Sequence, residues 1–195
     1  LTMIEIGENV VDIEENAFYE CTKLYRIINN SDLVLTIGGE DNGKIAYNAK
    51  EIIDKNGNKT YKDEESGFAF VDTVDGFRFT FENDNYTLIA YFGDKDTVRL
   101  PDDINGKEYS IYQMTGVKNV IIPGTIKNVG YGAFYSQMDS IIIEEGVQTV
   151  EHSALFKPIF ISIPASLQSI GEDNFNGRIE TIELNDESNY FALKE

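Results

Sequence analysis

Apolar residues in the second half of the chain recur in a fixed order. Val120-x-Ile122-Pro123 leads to Ile126, Val129-Gly130 and Ala133-Phe134. Ile141-x-Ile143 leads to Val147, Val150-Glu151 and Ala154-Leu155. Ile161-x-Ile163-Pro164 leads to Leu167, Ile170-Gly171 and Asn174-Phe175, and Ile182-x-Leu184 opens a further copy. The first slots fall at 120, 141, 161 and 182, steps of 21, 20 and 21 residues, and a constant step of this size signals a solenoid. An apolar-x-apolar pair predicts a short strand with one buried face, because side chains alternate across a strand. The Pro or Gly after it turns the chain. The pair spaced by three (Ile126/Val129, Val147/Val150, Leu167/Ile170) predicts a second buried edge, and the small-then-bulky pair a wedge that closes the coil. One copy cannot bury its apolar face alone; stacked copies put like residues over like and share one core.

The first residues follow the same order: Leu1, Ile4, Ile6, Gly7, Val10, Ile13, Ala17-Phe18 and Cys21, with Leu24 and Ile27 opening the next unit. The repeat resumes at Val98-Arg99-Leu100-Pro101, where Val98 lies 22 residues before Val120 and Met114 is expected to fill the missing Ala-Phe slot. This pattern resembles the leucine-rich repeats of the BspA-like type, over residues 1–27 and about 98–195. The resemblance implies a β-rich solenoid of roughly 20–23 residues per coil. It also implies a bacterial, exported or surface-displayed protein that binds other proteins. Single slots depart from it: Gly130 becomes Glu151, Ala-Phe becomes Asn174-Phe175, and Cys occurs once.

Between the two repeat stretches the period is lost, which predicts a small α+β island inserted into the solenoid. The organisation expected is a repeat at 1–27, an island at 28–96 and repeats at 97–195. Within the island, Ile45, Ala49, Ile52 and Ile53 share helical spacing and predict a short amphipathic helix over 43–54. Asn56-Gly57 predicts a tight hairpin turn. Phe68–Val71, the alternating Phe77–Phe81 and Tyr86–Phe92 predict strands of an antiparallel meander.

Composition narrows the partners. The 195 residues carry 34 acidic and 16 basic side chains, a formal charge of −18. That excess argues against nucleic acid and against anionic membrane surfaces, both of which select Lys and Arg. One Cys excludes an internal disulfide. No apolar run is long enough to span a bilayer and no signal peptide is visible. The chain opens inside a repeat and stops just after a strand begins, and so reads as a piece of a longer protein.

No reaction centre emerges, so no cofactor and no metal are expected. His152, the sole histidine, lies in a variable turn slot without a nucleophile motif. Cys21 fills a repeat slot as a small buried hydrophobe. Glu144-Glu145 is the most visible carboxylate pair, but adjacent residues of an extended chain face apart. Asp54-x-Asn56-x-Asn58 with Glu65 imitates a calcium loop. It places Lys59 where such loops need Gly, and reads as a hairpin turn. Asp94, Asp96, Asp102 and Asp103 read as a solvated loop.

The outward face of the strands is more informative. The period aligns Arg99, Ile121, Ile142, Ser162 and Glu183 in one column, and Asn119, Ser140, Phe160 and Thr181 in the next. Apolar residues thus fall where the pattern calls for wet ones, and such a patch marks a contact surface. The candidate binding residues are Arg99, Ile121, Ile142 and Phe160. The leading expectation is a non-catalytic, adhesin-like protein that grips an extracellular or host protein through the repeat sheet. Three other readings stand beside it. One is carbohydrate binding through island aromatics such as Tyr47, Tyr61 and Tyr86. Another is a hydrolase whose carboxylates meet only in the fold, and the last a structural spacer.

Overall fold

The structure, a computed structural model, describes residues 1–175 and 178–185. The chain forms two compact units, Leu1–Asp84 and Asn85–Glu195. Both contain stacked parallel coils, with almost no helix among the described residues.

In the first unit, β1 (Met3–Ile6), β2 (Arg26–Asn29) and β3 (Glu51–Asp54) stack in parallel, with Ile4, Ile27 and Ile52 in one column. Ile6, Leu24, Ile27, Ile45, Ala46, Ala49 and Ile52 form its buried core, and Val10, Ile13, Phe18, Cys21 and Leu35 pack against it. From β3 the chain turns back through β4 (Lys59–Lys62), β5 (Ala69–Asp72) and β6 (Phe77–Glu82), each antiparallel to the strand before it. The β3–β4 turn is the one expected at Asn56-Gly57. Gly57 takes φ +82°, and Asp54 accepts hydrogen bonds from the backbone N–H of Asn56 and Asn58, both at 2.9 Å.

The expectation of an inserted α+β island is not supported. The predicted helix over 43–54 is absent; in its place stand a single 3-10 turn at Asn42–Lys44 and strand β3. The helical spacing has another source. Register pairs Ile27 with Ile52, 25 residues on, so Ala46 and Ala49 occupy the places of Cys21 and Leu24 one coil earlier. A solenoid corner buries residues three apart just as a helix does, and periodicity over so short a stretch does not separate the two. Gly43 marks the tight contact between these coils: φ is +66°, and a Cβ there would lie 2.5 Å from the Glu14 carbonyl oxygen.

The second unit contains β7 (Asn85–Tyr91) and β9 (Tyr109–Thr115), which pair in parallel. Its main parallel sheet runs β8 (Thr97–Arg99), β10 (Asn119–Ile122), β12 (Ser140–Ile143), β14 (Phe160–Pro164) and β16 (Thr181–Asn185). A narrow second sheet stacks β11 (Asn128–Val129), β13 (Thr149–Val150) and β15 (Ser169–Ile170). A third side is closed by backbone bonds between coils, among them Met114 N–H to Ala133 O at 2.9 Å and Phe134 N–H to Ala154 O at 3.0 Å. The repeating apolar slots Val120, Ile141 and Ile161, Val129 and Val150, and Phe134 and Leu155 are at most 2% exposed. Met114 fills the Ala-Phe gap as expected: it bridges Phe134 and is fully buried.

Asn174 explains one departure from the repeat. It stands in the Ala slot of its coil, 1% exposed. Its Oδ1 accepts from Leu155 N–H at 2.8 Å, and its Nδ2 donates to the carbonyls of Glu151 and Gly171, both at 2.8 Å. The side chain does the ladder's work where backbone bonding between coils gives out.

Candidate functional site

Strand register fixes the outward face of the main sheet. Arg99, Ile121, Ile142, Ser162 and Glu183 align across β8, β10, β12, β14 and β16; Thr97, Asn119, Ser140, Phe160 and Thr181 align beside them. Ile121 and Ile142 are direct neighbours, one strand spacing of about 4.8 Å apart. Phe160 sits diagonally from Ile142. Ile142 is 36% exposed, Ile121 and Phe160 are half-buried, and Ser162 is covered, with Asn185 Nδ2 donating to its hydroxyl at 2.6 Å. The strip is therefore bounded: apolar over β10, β12 and the start of β14, polar beyond.

Arg99 is not an open cation. Its guanidinium donates to Glu144 through Nε and Nη2, both at 2.9 Å, and to Asp102 through Nη1 and Nη2, both at 3.0 Å. Glu144 follows β12, two strands from β8, so this fork reaches across β10, the strand that carries Ile121. The bonds with Glu144 and then Asp102 push the guanidinium further above its already high range, and Arg99 in turn holds the Asp102 carboxyl below its usual value. Thr125 Oγ1 adds a bond to Asp102 at 3.3 Å. Paired charges at one end of an apolar strip make a fixed rim.

The other candidates resolve individually. Glu145 turns away from Glu144 and accepts the backbone N–H groups of Ala165 at 2.7 Å and Ser166 at 3.1 Å, stapling one coil to the next. Asp54 spends both oxygens on its turn, and Asp103 accepts Gly106 N–H at 2.8 Å. His152 is exposed and lies against Tyr131, ring centroids 4.8 Å apart. Cys21 is a free thiol, half-buried against the first unit's core. Among the described residues no three His, Cys, Asp or Glu side chains gather to hold a metal ion. Tyr61, a candidate sugar platform, is flanked by Phe70, Lys59 and Arg78, each 5.6–5.8 Å from its ring, while Tyr47 is exposed.

Two features escape the sequence pattern. Tyr135 and Phe156 follow the Ala-Phe slots of consecutive coils and stack in the open, centroids 6.3 Å apart. The signal for them is aromatic residues next to the wedge slots. In the first unit, Glu51 is buried at 5% exposure between Arg26 and Lys59 and bonds both. Burial raises its carboxyl pKa, but the bonds from Lys59 and Arg26 outweigh that and the net shift is downward.

Comparison with curated proteins gives no match, and neither does comparison with solved structures. A family model described as the BspA type leucine rich repeat region matches residues 1–40 and 91–159, in six copies. The matched residues cover more than half of the chain and coincide with coils that stack in parallel. The chain belongs to the BspA-type leucine-rich-repeat family.

Proposed function

We propose that this chain is a non-catalytic binding module, adhesin-like, exported or displayed on a cell surface, which holds a protein partner on the open face of its main sheet. Ile121, Ile142 and Phe160 provide the apolar contact, and Arg99 with its two carboxylates forms the rim. One observation carries the reading: register sets Ile121 directly beside Ile142 on the outward face, where a solenoid strand ordinarily carries polar residues. The family is consistent with a role in protein interaction, and the proposed surface location rests on the family alone.

The test is an array of extracellular-matrix proteins and glycans, probed with the wild type and with I121S/I142S. A protein hit that weakens at least tenfold in the variant, with folding preserved, supports the reading. A variant that unfolds assigns both residues to the core and sinks it. A glycan hit untouched by the variant moves recognition elsewhere, and no hit with either form favours a spacer.

A further inference from the structure

The first unit holds a cleft that the sheet-face reading leaves unused. Strands β4, β5 and β6 set Lys62, Ala69 and Phe81 in one row, on the face opposite to Tyr61, Phe70 and Thr80. Ala69 is the small member, so the row dips at its centre. Phe68, just after the turn closed by Gly67 N–H on Asp63 O, also lines the dip. So does Ile37, which packs against the first unit's core. With Glu82 at its rim the cleft measures about 550 Å³, within the range of small-ligand sites.

Its lining is apolar and its charge is mixed. Phe68 is 47% exposed and Phe81 is half-buried. Lys62 and Glu82 both line the cleft and carry opposite charges. They pair neither with each other nor with another ion among the described residues. Asp84 adds a second carboxylate to the lining. Of the charges nearby in sequence, Asp63 accepts the Ser66 N–H at 2.7 Å and its hydroxyl at 2.8 Å, Glu64 pairs with Lys50 at 3.3 Å, and Glu65 stands outside the lining. A cation and an anion held apart beside apolar side chains match a molecule that is charged at both ends and apolar between them.

We infer that this cleft binds a zwitterionic dipeptide with apolar side chains, its carboxylate on Lys62, its ammonium on Glu82 and its side chains on Phe68, Ala69 and Phe81. Length selects the dipeptide. Lys62 and Phe81, the neighbour of Glu82, stand two strand spacings apart, about 10 Å. The ends of an extended dipeptide lie about 7 Å apart, and a hydrogen bond of about 2.8 Å at each end covers the remainder. A single amino acid falls short, and an uncharged sugar leaves both charges unanswered. The site shares no residue with the outward strip, and its test stands apart from the sheet-face reading.

Amide NMR of the intact chain, titrated with leucyl-phenylalanine, tests it. Shifts should cluster at residues 66–69 and 81–84 and saturate at millimolar ligand, a weak affinity because both charges face solvent. The N-acetyl and C-amide derivatives should each bind about fivefold more weakly. Lys62→Gln should cost a similar factor and cancel the penalty of amidation alone; Glu82→Gln should do the same for acetylation. Ala69→Leu fills the dip and should remove binding, with the amide spectrum verifying that each variant is folded. If Ala69→Leu does not fold, the two charge variants decide. Capped derivatives that bind like the free dipeptide overturn the zwitterionic ligand, and so do charge variants whose losses do not follow their own end of it. Shifts scattered elsewhere, or none at roughly 10 mM ligand, overturn the site.

Discussion

Asn174→Ala restores the residue that the repeat pattern favours, and consensus substitutions of this kind usually stabilise. The structure requires the opposite. The substitution removes the acceptor of the Leu155 N–H, in a residue 1% exposed, together with the donor shared by the Glu151 and Gly171 carbonyls. A buried N–H left without a partner costs about 1–3 kcal/mol, and each hydrogen bond lost contributes about 0.5–1.5 kcal/mol net. Asn174 lies in neither a helix nor a strand, so Ala brings no propensity gain to offset this, and the expected loss is about 2–4 kcal/mol. Asn174→Asp should be worse still, because it keeps the acceptor for Leu155 but turns a carboxylate oxygen on backbone carbonyls. Urea unfolding followed by circular dichroism measures both, with the order wild type, Ala variant, Asp variant in falling midpoint. Amide exchange at Leu155 should accelerate in the Ala variant. A midpoint equal to or above wild type for Asn174→Ala would refute the argument that this side chain replaces the ladder.

Other expectations follow from single contacts. Gly124→Ala would place a Cβ 1.8 Å from the Glu145 carbonyl oxygen and should cost more than about 2 kcal/mol, whereas Gly130→Ala meets nothing within 4 Å and should stay within about 1 kcal/mol of wild type; paired thermal melts decide. Glu51→Gln should cost about 1–2 kcal/mol at neutral pH, a modest sum because Arg26 and Lys59 remain 45% and 47% exposed. Since the folded carboxyl lies below its ordinary 4.5, its contribution is complete above that value and fades as pH falls through the folded pKa. Stability curves of wild type and variant should therefore converge in acid, and a constant gap would exclude the ion triad as the cause. Arg99→Ala should leave the coil folded but free Glu144 and Asp102, so the Asp102 carboxyl should titrate closer to its ordinary range when followed by NMR.

Much of the second unit was legible before any coordinates. In a solenoid, residues one period apart become neighbours, so the step from Val120 to Ile141 to Ile161 is already a strand register. Columns, core slots and the outward strip follow by counting, and the Ile121–Ile142 pair is where counting puts it. The helix expected over 43–54 fails for a related reason. Ile45, Ala49 and Ile52 are buried as the spacing requires, but burial three apart suits a coil corner as well as a helix, and only the stacking of Ile52 on Ile27 chooses between them.

Period, family and the repeat's buried slots are all readable along the chain, because stacking turns a one-dimensional repeat into a three-dimensional neighbourhood. What breaks the period emerges only once the coils are packed. The packed structure showed that Arg99 spends its charge on Glu144, 45 residues away, and that Asn174 is a backbone surrogate rather than a flaw. It also set Glu51 between two cations and stacked Tyr135 on Phe156. Such pairings are specific to one coil and depend on side-chain reach across strands, which no repeated pattern encodes.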